Sequence, residues 1–164
     1  MNESTRRVPE WDSSLVFCVY GPEDSDAISV DVYIVNATGA QTRIAQDLVG
    51  DFIPLPKARV IFACEYNAIM QSARPMLLDL QGKKTLLPEH PGYLRTCESV
   101  GSGEQVLVQY DQVEESNHLF STVRIYSSSG QLLVEKKIVE AGVVEFSDAG
   151  KAYSVPVNKP ELPE

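Results

Sequence analysis

The chain has little of what metal centres and disulfide scaffolds are built from. It holds two histidines, His90 and His118, and three cysteines, Cys18, Cys64 and Cys97, with no CxxC or Cys/His spacing. An odd cysteine count without paired spacing argues against a disulfide framework and a structural zinc site, and no cofactor or metal is expected. Long apolar runs are missing too: LVFCVY at residues 15–20 is the longest near the start, against the roughly 20 residues a spanning helix needs. No membrane association is expected. Arg6-Arg7 is followed by Val-Pro-Glu-Trp-Asp where a twin-arginine signal needs an apolar stretch, so cytoplasmic residence is expected. Positive charge is the scarcest resource. Fourteen Lys plus Arg against 23 Asp plus Glu leave a formal charge of −9, a field that repels phosphate backbones and attracts basic surfaces. Nucleic acid is not an expected partner; a basic protein is.

What is present is a repeat. At 164 residues, 43% hydrophobic and 23% charged, the composition is that of an ordinary globular protein of one domain. Three hairpin patterns recur, in DVYIVNATGAQTRI, PMLLDLQGKKTLL and VRIYSSSGQLLVEKK, with turn glycines at Gly39, Gly82 and Gly130. Apolar and β-branched runs around a short polar turn with glycine read as β-hairpins. The strand ahead of each repeats as well, ending at Tyr20, Tyr66 and Tyr110. A glycine downstream of each opens another candidate strand, at Gly50, Gly92 and Gly142. The unit is thus about four strands in roughly 45 residues, with copies at about 15–50, 59–98 and 105–147. A last strand is expected at 151–157, pairing back against the N-terminal part, followed by an exposed tail at 158–164. Residues 68–73 (AIMQSA) are the one candidate for a turn or two of helix.

That unit resembles one blade of a β-propeller of the WD-repeat or kelch type, a four-stranded antiparallel sheet of about 40 to 50 residues. The resemblance implies an all-β fold of about three propeller-blade-like repeats, arranged as a compact or partial propeller or as a sandwich. The only Trp-Asp pair, Trp11-Asp12, precedes the first repeat.

Aligning the three strands on their tyrosines puts Cys18, Cys64 and Val108 at one position and Val16, Phe62 and Val106 two residues earlier. Period-two alternation then sets all six on one face, with the thiols as small core residues. The histidines lie in turn-rich segments with no nucleophile motif near them. Asp24 and Asp26 resemble the opening of a calcium loop, but Ser29 and Val35 stand where its glycine and glutamate belong.

Loops at equivalent positions of stacked repeats emerge on one side. Glu23, Asp24 and Asp26 in the first repeat, with Asp111, Glu114 and Glu115 in the third, are therefore expected to form an acidic rim. The matching loop of the second repeat offers Ile69 and Met70 as an apolar centre. An acidic rim around an apolar patch suits docking of a basic protein. The expected function is a noncatalytic binding module, similar in general character to bacterial immunity proteins that occlude a basic toxin. Two alternatives stand beside it: a scaffold or homodimer that completes its own repeats, and a small hydrolase or sugar-binding protein using the carboxylates Glu65 and Asp111.

Overall fold

The computed structural model describes residues 2–20, 29–67 and 69–162. Strands β1 (Asn2–Val8), β2 (Ser13–Tyr20), β3 (Ser29–Asn36) and β4 (Gln41–Leu48) form a first antiparallel sheet in chain order. The second holds β5 (Gly50–Leu55), β6 (Val60–Asn67), β7 (Ser72–Asp79) and β8 (Lys84–Leu86), with β9 (His90–Pro91) added at the start of β7. The third holds β10 (Tyr93–Val100), β11 (Gln105–Val113), β12 (Leu119–Ser127) and β13 (Leu132–Ile138), and β14 (Gly142–Asp148) and β15 (Lys151–Val157) make a two-stranded fourth. The fold is all-β with propeller-like sheets, as expected. Among the described residues no helix is long and apolar enough to cross a membrane.

The three hairpins share one turn chemistry. Asn36, Asp79 and Ser127 each stand three residues before the turn glycine. The N–H of Gly39, Gly82 or Gly130 donates to the carbonyl of that residue at 3.0, 3.1 and 3.0 Å. The side chain of the same residue accepts backbone N–H bonds from two and four residues on: Thr38 and Ala40, Gln81 and Lys83, Ser129 and Gln131. All three glycines have φ between +84° and +88°, a conformation in which a Cβ is penalised. Three different small polar residues thus build the same corner, because each places an oxygen within reach of its own turn.

The phase of the repeat differs from expectation by one strand. The glycine-led strands do not close the sheet of the preceding hairpin; they open the next one, Gly50 pairing with Glu65 of β6 and Tyr93 with Asp111 of β11. The first sheet accordingly begins with β1, a strand of mostly exposed polar residues whose alternation is too weak to read. The tyrosine alignment also slips. Tyr20 is the eighth residue of β2, Tyr66 the seventh of β6 and Tyr110 the sixth of β11, and a one-residue slip turns every side chain to the other face. Phe62 and Cys64 consequently face forward toward the third sheet, while Val106 and Val108 face back toward the second; they meet in one core from opposite sides. Two further expectations change. Residues 69–71 form a turn, not a helix, because the Asn67 Oδ1 accepts the N–H groups of Ile69 and Met70 and Gln71 takes φ +48°. Strand β15 pairs with β14 and not with the N-terminal part.

Adjacent sheets pack face to face around three apolar clusters. Leu15, Val32 and Ile34 of the first meet Ile61, Ala63 and Leu78 of the second. Leu55, Phe62 and Leu77 of the second meet Val106, Val108 and Tyr126 of the third, and Leu107, Val123 and Ile125 of the third meet Val144, Phe146 and Val157. The turns between first and second strands are stitched across the same seams. Trp11 Nε1 donates to the Pro56 carbonyl at 2.8 Å, the Lys57 N–H donates to Glu104 Oε1 at 2.8 Å, and the Ser102 N–H donates to Asp148 Oδ2 at 2.9 Å. Successive sheets therefore lie side by side in one sense, first turns on one face and the turns between second and third strands on the other.

Candidate functional site

Of the expected rim only the residues of the third repeat are described, and those part company. Glu23, Asp24 and Asp26 lie outside the described residues. Asp111 is not in a loop: it sits inside β11 with its side chain 1% exposed, because two polar residues at period two, Gln109 and Asp111, continue a strand that the sequence reading ended at Tyr110. Glu114 is half-buried and paired with Lys137, whose hydrogen bond holds its carboxyl below the ordinary range. Glu115 is exposed in the same turn. Ile69 and Met70 are 93% and 71% exposed, projecting from the Asn67-capped turn. The Gly92 N–H donates to the Gln71 carbonyl at 2.6 Å, setting that turn beside the start of β10.

Next to it opens a cleft of about 580 Å³ lined by Tyr66, Tyr93, Leu94, Arg95, Asp111 and two residues that follow β15, Glu161 and Leu162. Asp111 organises it. Its Oδ2 accepts from Arg95 Nη1 at 2.8 Å and from the Glu161 N–H at 3.0 Å, and its Oδ1 accepts from the Ser121 hydroxyl. Gln109 Nε2 donates to Ser121 Oγ at 3.0 Å and to the Asn158 carbonyl at 3.1 Å. A buried carboxylate is tolerable only when its lone pairs are occupied, and here a cation, a hydroxyl and an amide occupy them. The segment 158–162 is consequently docked although Asn158, Lys159 and Glu161 are exposed as expected; Pro160 is buried. Asp111→Ala removes the acceptor for three donors and should cost about 2 kcal/mol, read as a lower urea midpoint together with faster hydrogen exchange at the Glu161 amide. An unchanged exchange rate would show that Asp111 does not hold the segment.

On the opposite face of β11, Tyr110 stacks on His90, ring centroids 4.9 Å apart and nearly parallel. His90 is fully buried. Arg124 Nη1 lies against both ring nitrogens, 2.9 Å from Nε2, and Nε2 stands 2.5 Å from the Tyr126 hydroxyl. Arg124 is in turn paired with Glu135 at 2.6 Å. Burial, and secondarily the Arg124 charge, push the imidazole down to about 4, so it is neutral at physiological pH. The group locks the second sheet to the third. Cys18 and Cys64 are buried and Cys97 is half-buried, all free: burial pushes the Cys64 thiol up to about 12 and raises Cys97 as well, the reverse of what a thiolate nucleophile needs. Glu65 and Asp111 line different clefts, and Asp111 is paired with Arg95.

Sequence reasoning missed Arg95, and it set His90 in a turn without its burial. Arg95, in YLRTC, carried one signal, the lone cation of its strand. The burial of His90 carried none, since Leu-Pro-Glu-His-Pro-Gly reads as an exposed turn.

No protein-family model matches the sequence, and no curated protein matches it. Among solved structures the chain is similar to Pyrococcus horikoshii acylaminoacyl peptidase in its orthorhombic crystal form, with TM-score 0.62 and 10% identity over 94% of this chain and 32% of that one. It is also similar to the β-propeller domain of the trilobed protease from Pyrococcus furiosus, described as having an open velcro topology, with TM-score 0.58 and 10% identity over 88% of this chain and 53% of that one. The chain thus spans about a third of the first and about half of the second. At such identity the likeness establishes the fold, a set of β-propeller blades.

Proposed function

We propose that the chain is a propeller-type binding module that docks a basic partner protein on the face carrying the turns between second and third strands. The observation that carries this reading is the pair Ile69 and Met70, held 93% and 71% exposed by a turn whose backbone is fixed by Asn67. Large apolar side chains on a rigid corner beside a cleft are the usual core of a protein interface. The charge of −9 supplies steering toward a basic surface. An immunity-type role, occlusion of a basic toxin or enzyme, is a special case supported by the charge balance alone.

The test is capture of the partner on immobilised protein at low and high salt. Ile69→Asp with Met70→Asp should leave the circular dichroism unchanged, since both side chains point into solvent, and weaken capture about thirtyfold or more, the loss of a central anchor worth roughly 2 kcal/mol. Undiminished, salt-insensitive capture by the double variant would refute the reading. A second reading, strand addition to β15, has one observation in its favour: β15 pairs only with β14 among the described residues. Pro156 offers no N–H there and Lys151 opens the strand, both features that blunt an edge. Light scattering separates the two, because self-pairing doubles the monomer mass.

A further inference from the structure

Gln109 and Asp111, spaced by two on β11, share the face turned toward the fourth sheet with Leu107. Both engage the main chain of one segment: Gln109 donates to the carbonyl of Asn158, and Asp111 accepts from the N–H of Glu161. Segment 158–162 belongs to no strand, so these side chains stand in for a neighbouring strand's donors and acceptors. One buried donor and one buried acceptor that engage backbone groups three residues apart constitute a reader of extended backbone, and backbone contacts give affinity without depending on side-chain identity. Selectivity comes from what flanks them. Pro160 is buried between the two contacts, the Glu161 carboxylate lies 3.6 Å from Arg95 Nη2, and Leu162 lines the cleft with Tyr66, Tyr93 and Leu94. The outer end of the segment is held lightly. Glu161 is 80% exposed, an ion pair of the kind worth about 1 kcal/mol or less, and the 580 Å³ of the cleft remain open beside it.

We propose that this cleft is a peptide-binding groove occupied in cis by segment 158–162, and that its ligand in trans is an extended peptide of the same chemistry, a proline followed by an acidic and then a large apolar residue. This deepens the docking reading above, on whose face it lies, by naming what the partner inserts. Among the described residues Arg95 is the one cation lining the cleft, so an acidic residue is read there even within a partner that is basic overall. Tethering gives the cis segment an effective concentration on the order of millimolar, which masks the groove from weak ligands.

The experiment uses the full chain and a fluorescein-labelled peptide of sequence VNKPEL, blocked at both ends, followed by fluorescence anisotropy. Glu161→Lys with Leu162→Asp, at exposed and half-exposed positions, should loosen the segment without unfolding the protein, and exchange of the residue-161 amide reports its release. Should that amide stay protected, Pro160→Gly is added to remove the buried ring. The opened variant should bind the peptide at least tenfold more tightly than the wild type. A control peptide carrying lysine for glutamate and aspartate for leucine should not bind. No binding by a variant whose segment has left, equal binding by the wild type, or equal binding of both peptides would overturn the proposal. The assay contains no partner protein, so such a failure leaves the effect of the Ile69 and Met70 variants on capture standing.

Discussion

Gly50→Ala should destabilise the protein on the order of 4 kcal/mol, lowering the melting temperature by roughly 10 °C for a chain of this length. Two costs coincide at this residue. Its φ is +147°, a region that residues with a Cβ occupy only under strain of about 1–3 kcal/mol. A Cβ built there would stand 1.8 Å from the carbonyl oxygen of Cys64 and 2.9 Å from its carbonyl carbon, atoms of a β6 backbone packed between two other sheets. Relief requires moving either β6 or the start of β5, and overpacking of this kind adds a further 1–3 kcal/mol. Gly39→Ala is the control. Its φ of +84° carries the strain, but nothing lies within 4 Å, so about 1 kcal/mol is expected. Chemical denaturation of the two variants separates strain from collision; equal losses would mean that β5 shifts freely and that its pairing with β6 does not set the position of the second sheet.

Acidification from pH 6.5 toward 4 should remove about 3 kcal/mol of stability through His90. Its imidazole titrates near 4 in the folded protein against 6.5 when unfolded, so between those values the unfolded chain binds more protons and the native state is penalised. The contribution is fully present above pH 6.5 and is lost as pH falls. Burial is the first cause and the Arg124 charge the second: Arg124 lies against both ring nitrogens, Tyr126 and Tyr110 close off Nε2 and the ring face, and Glu135 is committed to Arg124. A second proton has no acceptor and would face a guanidinium. Urea midpoints at pH 5 to 7 for the wild type and His90→Gln test this. The wild-type midpoint should fall with pH and the variant's should not. Glu89 and Asp148, both lowered by hydrogen bonds from serine hydroxyls, lose their contributions only below about pH 4.5, outside that window. Parallel slopes in the two proteins would place the acid sensitivity elsewhere.

The hairpins were legible because everything that builds them is local. A small polar residue three positions before a glycine, flanked by alternating apolar residues, closes its own turn, and the chain does so at Gly39, Gly82 and Gly130 with the same bonds each time. The strand count and the length of the unit follow from that repetition. The acidic rim was an expectation from composition and loop position. Glu114 and Glu115 do lie in a turn of the expected face, yet Asp111 was assigned to the loop, when the alternation of Gln109 with Asp111 already marked a strand that runs three residues past Tyr110.

Sequence alone determined the all-β class, the period near 45 residues and the turns, since alternation and turn chemistry act over a few neighbours. Tertiary structure decided the rest. Whether Gly50 closes one sheet or opens the next depends on which strand lies across from it, and a side chain's face depends on a register that one residue reverses. His90 is buried because the second and third sheets close over it. Asp111 becomes an anchor because a segment 50 residues away crosses its strand. Those are long-range coincidences of geometry, and no local pattern carries them.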